Sequence, residues 1–253
     1  MKDALGDRMK SYESANSSVL VPRMPILIRV DGRSFHNYTK GMHCFDSKIN
    51  RGMNDVARAL MQEAQGAIFG YVQSDEFSIV LQTDARTQSQ PWFGGKVQKI
   101  CSIASSVATA AFNSSLLNQD SLRPIENPAM FDARCWNMPW EDVGNYFLWR
   151  WRDATRNSVS MYARSMFSHR ELHGKSVSEM KDMINYQVSN EEDRDHYGKD
   201  TWEELLPRNR QGWFFINDPT LRANMQEVWN GQSLVEFEYN DFDSMLKMVR
   251  NKS

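Results

Sequence analysis

Two stretches of this chain carry acidic residues in positions where they could act together. The first reads Arg29-Val30-Asp31-Gly32-Arg33-Ser34-Phe35-His36 and the second Gln73-Ser74-Asp75-Glu76-Phe77. Asp31 closes the apolar run 26–30, and Asp75 and Glu76 lie between the runs 68–73 and 77–81, so carboxylates from neighbouring strands can meet at one sheet edge. Three carboxylates at strand ends suit Mg²⁺, a hard cation that keeps waters and substrate phosphates in its shell. Metal held there would lower the pKa of an attacking hydroxyl and screen phosphates as charge moves to the leaving group, which is what two-metal nucleotidyl transfer requires. Gly32 lets the backbone turn and approach a triphosphate without a Cβ in the way, and the amides of residues 32 to 36 would form an anion-binding turn. Singly, each stretch reads as an ordinary turn; their combination in one topology favours the catalytic reading.

The elements that must position these acids follow from periodicity. Residues 3 to 15 form a short polar helix ahead of Pro22 and Pro25, and 26–31 is an apolar, β-branched strand stopped by Gly32. From Asp46, an N-cap, apolar residues recur at Ile49, Met53, Val56, Ala57, Leu60, Met61 and Ala64, one face of a helix that ends at Gly66. Runs 68–73 and 77–81 make a hairpin whose tip carries the acids. A second helix presents Phe93, Val97, Ile100, Ala104, Ala108 and Phe112 on one face, and 130–136 is a fourth strand. Strand, helix, strand, strand, helix, strand is the ferredoxin-like βαββαβ order, in which the first and third strands pair centrally. Asp31 then lies beside Asp75 and Glu76.

The expected architecture is therefore α+β, with a ferredoxin-like core over 1–138 and a helical region over 139–253 packed on it as one unit. In the second half, 140–168 is a helix whose Trp and Met residues are core while Arg150, Arg152, Arg156 and Arg164 track an RNA backbone. Another helix covers 177–186, the acidic stretch 190–204 is solvated, and 212–216 is a late strand.

Composition narrows the class. A chain of 253 residues with 41% apolar content can bury a substantial core. The net charge of −2 gives no global signature of a nucleic-acid coat, so any polyanion site must be local. Cys44, Cys101 and Cys135 are scattered without a C-x-x-C pair, which argues against a disulfide framework or a zinc knot. No window reaches the ~18 uninterrupted apolar residues of a spanning helix, and the N-terminus lacks the apolar core of a secretion signal. The expectation is a cytoplasmic protein that does not engage membranes.

The chain resembles the tRNA-histidine guanylyltransferase family, above all its bacterial and phage-type members that act as 3′-to-5′ polymerases. The resemblance rests on Asp31-Gly32-Arg33-Ser34-Phe35-His36 and Gln73-Ser74-Asp75-Glu76-Phe77-Ser78, and extends through Phe45-Asp46, Trp92-Phe93, Phe131-Asp132-Ala133-Arg134 and Trp151-Arg152-Asp153-Ala154-Thr155-Arg156-Asn157-Ser158. It implies a catalytic core similar to a polymerase palm run with reversed polarity: the 5′ end of tRNA or a tRNA-like RNA is activated by ATP or GTP, or arrives as a triphosphate, and the 3′-hydroxyl of an incoming nucleoside triphosphate attacks it. By the same resemblance Asp31, the Gly32 carbonyl and Asp75 hold two Mg²⁺ ions and Glu76 supports the catalytic site. Arg33, Ser34, Phe35, His36 and Ser74 contact the nucleotide, and Lys96, Lys99, Arg134, Arg152, Arg156 and Asn157 hold triphosphate or RNA. The resemblance also implies a homotetramer. Without it, Lys96 and Lys99 read as a solvated helix face, whereas Arg134, on a strand near the acids, is a phosphate candidate in its own right because its planar fork can hold two oxygens.

Two departures from the family pattern bear on the reaction. Thr155-Arg156-Asn157-Ser158 stands where the eukaryotic enzymes carry His-Ile-Asn-Asn, which favours templated 5′-end repair over addition of one untemplated guanosine. His43-Cys44 stands where the family often has Lys-Pro, replacing a fixed positive charge by an imidazole. His169 and His173 sit one helical turn apart, but Glu171 is not in the H-E-x-x-H position and no third ligand is evident, so they read as a surface pair. The competing functional readings are a palm-fold cyclase-like enzyme acting on nucleotides without RNA, and a catalytically silent RNA-binding module.

Overall fold

A computed structural model describes residues 3–117, 127–189 and 211–216, together with 244, 246 and 247. The chain opens with helix α1 (Ala4–Ser14), whose first turn is capped by the Asp3 carboxylate accepting from the Gly6 amide. Strand β1 (Ile26–Gly32), the short helix α2 (Phe35–Tyr38) and helix α3 (Ser47–Glu63) follow, with Asp46 capping α3 through the Lys48 amide. The hairpin comprises β2 (Ala67–Gln73) and β3 (Glu76–Leu81), and helix α4 (Val97–Leu117) leads to β4 (Phe131–Asn137). Beyond it come α5 (Trp140–Arg164), α6 (His169–Leu172), α7 (Val177–Ser189) and β5 (Trp213–Ile216). The expected acidic segment 190–204 lies outside the described residues.

The strands form one sheet in the order β4-β1-β3-β2-β5, with every neighbouring pair antiparallel. Side chains alternate across a strand, so each strand serves two layers. Ile26, Ile28 and Val30 of β1 and Phe77, Ile79 and Leu81 of β3 pack with Met53, Leu60, Ile100 and Phe112 of α3 and α4. Leu27, Phe69, Tyr71 and Val80 face the opposite way, against Val143, Phe147 and Trp151 of α5. A third cluster joins the end of α5 to α6 and α7 through Val159, Tyr162, Leu172 and Ile184. Each fully buried side chain of this size contributes roughly 1.5–3 kcal/mol.

Three expectations are corrected. Phe93 does not join the α4 face, because Phe93, Gly94 and Gly95 all have positive φ, in a 3₁₀ turn over Trp92–Gly95, and the helix starts only at Val97. The sheet has five strands, since β5 from the C-terminal half pairs with β2, so that half is woven into the core sheet. Finally, α4 is long and apolar enough to cross a membrane by length and composition; here Ile100, Ala104, Ala108 and Phe112 are buried against the sheet and α3.

Candidate active site

The register of the central strands brings the acids together. Asp31 of β1 pairs with Glu76 of β3 on one side and with Asp132 of β4 on the other. Two residues back, Arg29 pairs with Ser78 and with Arg134. By strand alternation all six share the face that packs against α5, so a row of carboxylates sits beside a row carrying two arginines. Asp75 belongs to neither strand; it is the second of two loop residues joining Gln73 to Glu76, after Ser74 in the left-handed region at φ 48. A β-hairpin with so short a loop needs positive φ there, and a serine in place of glycine holds it at some strain.

Gly32 fits Asp75 tightly against the end of β1. Its amide donates to the Asp75 carbonyl at 3.1 Å, and a Cβ built on it would stand 2.8 Å from Asp75 Oδ2 and collide with the Phe35 ring. The Arg33 amide donates to the Met130 carbonyl at 2.8 Å. The anion-binding turn expected over residues 32 to 36 is therefore shortened: strand-end hydrogen bonds consume its first two amides and leave those of Ser34 to His36.

The carboxylates divide by their compensation. Burial pushes Asp75 up to about 6, the bonds to its own backbone and to Ser74 work downwards, and the charges of Asp31 and Glu76 add to the rise. Asp31 is also raised, by burial and then by Asp132, against Arg29 and Arg134. Arg134 Nη2 lies 3.9 Å from Asp31 Oδ2 and 3.3 Å from Asp132 Oδ1. Glu76, 7% exposed, is instead gripped by Arg150, with Nε to Oε1 at 2.8 Å and Nη2 to Oε2 at 2.7 Å. Arg29 Nε adds its charge 3.9 Å from Oε2. Burial raises Glu76, and Arg150 and then Arg29 pull it back; burial works to lower Arg150, and the Glu76 charge and hydrogen bond more than reverse it.

This pattern decides which residues fit a divalent cation. The Gly32 carbonyl, Asp31 and Asp75 form a hard-oxygen set; burial raises both carboxylates, and neither is gripped by an arginine as Glu76 is, so they fit Mg²⁺. Glu76 does not complete a three-carboxylate set as the sequence suggested, because both its oxygens are committed to Arg150. Among the described residues no group of three His, Cys, Asp or Glu side chains has the arrangement of a metal site.

The acids open onto a cleft of about 770 Å³ between the 34–50 segment, the hairpin turn and α5. Of the predicted residues, Asp31, Gly32, Ser34, Phe35, His36, Ser74, Asp75, Glu76 and Asn157 line it. Phe35 is nearly buried, its ring packed on Tyr38, Phe112 and Phe131 with centroids 5.0, 5.4 and 5.8 Å away, so it anchors the loop to the core. Arg33 turns into an adjoining cleft of about 1010 Å³. Arg134 stands at the acid row, Arg156 pairs with Asp153 at 2.9 Å, and exposed Arg152 lines neither cleft.

Lys96 and Lys99 are not brought to the acids. Lys96 bridges to Val19, the Lys99 ammonium lies 5.1 Å from the Phe93 ring centroid, and neither lines either cleft. Glu171 and Ser168 form a capping box on α6, so the His169–His173 pair has a glutamate committed to the helix end. Arg150 corrects the expectation of an RNA-tracking arginine: it is 6% exposed and turned towards the sheet. Spacing did carry a signal, since Val143, Phe147, Arg150, Trp151 and Ala154 are one stripe of α5.

Comparison with known proteins agrees with this arrangement. A sequence profile described as tRNAHis guanylyltransferase matches residues 6–139. A bacterial tRNA(His) guanylyltransferase-like protein solved in complex with ATP is 33% identical, covers 90% of this chain and 98% of that one, and superposes with a TM-score of 0.76. Another, in complex with GTP, is 30% identical, covers 98% of both chains and gives 0.71. The tRNA(His) guanylyltransferase of Kluyveromyces lactis is 31% identical over 147 residues, which are 55% of this chain and 60% of that protein. The chain likewise spans about half the length, 51%, of the probable tRNA(His) guanylyltransferase of Drosophila melanogaster. With the profile matched over more than half of its length and the bacterial structures covered almost end to end, the chain belongs to the tRNAHis guanylyltransferase family.

Proposed function

We propose that this protein is a Mg²⁺-dependent nucleotidyltransferase that adds nucleotides to the 5′ end of tRNA or a tRNA-like RNA in the 3′-to-5′ direction. The observation that carries the reading is the pair Asp31 and Asp75, under-compensated at one sheet edge and open to a cleft large enough for a nucleotide. The order of the first four strands supports a ferredoxin-like palm, and the ATP and GTP complexes of the bacterial relatives support nucleoside triphosphates as substrates.

Bound at Asp31, Asp75 and the Gly32 carbonyl, Mg²⁺ would supply charge for the phosphates and acidify the attacking 3′-hydroxyl. The chain's own residues define where that happens. The Gly32 amide fixes the Asp75 backbone, Glu76 with Arg150 fixes the start of β3, and the amides of Ser34 to His36 line the approach. Arg134, paired with Asp31 and Asp132, adds its charge at the edge of the sheet outside the cleft. Thr155 in place of a histidine favours templated repair over a single untemplated addition.

The test is a gel assay of the purified protein with Mg²⁺, the four nucleoside triphosphates and a 5′-labelled tRNA lacking its first nucleotide, in monophosphate and triphosphate forms. Extension that restores the missing base and follows the opposing 3′ base is the expected result. Addition of one guanosine regardless of template would replace templated repair by guanylylation. Triphosphate turnover without RNA, and no extension, would favour the cyclase-like reading; inert but folded protein would leave only a binding role.

A further inference from the structure

A polyphosphate entering the acid cleft needs positive charge beyond that of a metal, and the described cations around it are mostly committed. Arg150 is closed by Glu76 and by Asp153, 3.2 Å from its Nη1. Arg156 pairs with Asp153 and does not line the cleft, and Arg134 leans on Asp132 and Asp31 outside it. Besides Arg150, the arginine or lysine that lines this cleft among the described residues is Arg164, exposed and in no ion pair there.

Its position is as informative as its charge. Arg164 is in the last turn of α5, whose Arg150 grips Glu76 at the acid edge; at about 1.5 Å per residue the two are roughly 20 Å apart along the axis. A helical side chain leans back towards the N-terminus, so the guanidinium can reach several ångströms nearer to the acids. The opposite wall, residues 43–46, is held against this end of α5 by Phe45 and Tyr162, with ring centroids 5.8 Å apart. The cleft therefore has acids at one end and an uncommitted guanidinium at the other.

We propose that Arg164 anchors a phosphate group at the end of the cleft away from the reacting centre. This rests on the nucleotidyl-transfer reading: a nucleotide that presents its 3′-hydroxyl to the acid edge must direct its own 5′-triphosphate away from it, towards Arg164. A backbone phosphate of the RNA strand offers the same chemistry, and the planar guanidinium suits either.

The experiment titrates full-length wild-type protein, R164A and R164K with GTP, inorganic tripolyphosphate and a 5′-triphosphorylated tRNA, by calorimetry in Mg²⁺. R170A, on exposed α6, controls for loss of a positive charge, and melting curves control for folding. R164A should weaken phosphate binding on the order of tenfold to a hundredfold, with R164K between it and the wild type. Loss for GTP and tripolyphosphate identifies the nucleotide's triphosphate as the ligand; loss for tRNA alone identifies the RNA backbone. Unchanged affinities in a folded R164A, with the wild type binding normally, would overturn the assignment and leave Arg164 as a cation that complements the helix dipole. A wild type that binds none of the three would overturn the nucleotidyl-transfer reading and this assignment with it.

Discussion

The two faces of the central sheet are built from the same strands and solve opposite problems. Towards α3 and α4 every inward position of β1 and β3 is apolar, and the layer is closed by Met53, Leu60, Ile100 and Phe112. Towards α5 the same strands present Arg29, Asp31, Glu76 and Ser78, and the helix answers with Tyr146, Arg150 and Asp153. The first face holds shape by burial alone. The second gives up apolar area to hold Glu76 firmly with Arg150 and leave Asp31 without such a grip, beside the loop residue Asp75, so strand alternation separates the face that stabilises from the face that carries the acids.

The largest expected effect is on turnover. Asp75→Ala should lower nucleotide addition on the order of a thousandfold or more, by removing a proposed metal ligand, while circular dichroism and melting show an intact fold. Undiminished activity in a folded variant would show that the two faces do not differ in the way described.

Next is the compensated acid. Arg150→Met leaves the buried Glu76 with only the Arg29 charge 3.9 Å away and should destabilise the protein by about 3–5 kcal/mol in urea titrations, with most of the loss recovered in Arg150→Met/Glu76→Leu. Leu60→Ala on the apolar face should cost a comparable ~2–5 kcal/mol but keep the activity of each folded molecule. If both variants lose activity only in proportion to the folded fraction, Arg150 and Glu76 merely hold the fold.

A smaller effect concerns pH. Asp75 titrates at about 6 in the folded chain against 3.8 in the unfolded one, so the folded state binds more protons between those values. Without divalent metal, Asp75's own contribution to stability should therefore be greatest below pH ~4 and fall by up to roughly 3 kcal/mol as pH rises through ~6. Asp75→Asn should remove that part of the slope, read as the difference between the two melting profiles. The smallest effect belongs to Tyr146→Phe, which deletes the 2.8 Å hydrogen bond to Ser78 and should cost about 1 kcal/mol. A much larger loss would mean that the polar face is one coupled network.

Much of this was readable from the chain. Asp46 capped the helix it was expected to cap, and the apolar spacing from Ile49 to Ala64 became the buried face of α3. The hairpin, with Ser74 and Asp75 at its tip, was legible because two apolar runs flanked a polar pair; that Glu76 begins the strand was a matter of one residue. Lys96 and Lys99 were assigned to phosphate by the family resemblance alone; their own reading as a helix face agrees with their place outside both clefts. The 3₁₀ turn and the Val19 bridge keep them there. Arg150 was misread because an arginine among tryptophans looks like a surface charge on a core helix, although its place in the stripe pointed inward.

The amino-acid sequence by itself determined the periodicities, and with them the strands, the helices and the two acidic turns, because these depend on residues within a few positions of one another. It also carried the motifs from which the family was legible. Only the tertiary structure decided how the charges are shared. Whether a carboxylate is satisfied depends on what lies a few ångströms away through space, and Arg150 stands 74 positions from Glu76 in the chain. That distant partner separates a fixed acid, Glu76, from Asp31 and Asp75, which no arginine grips in the same way.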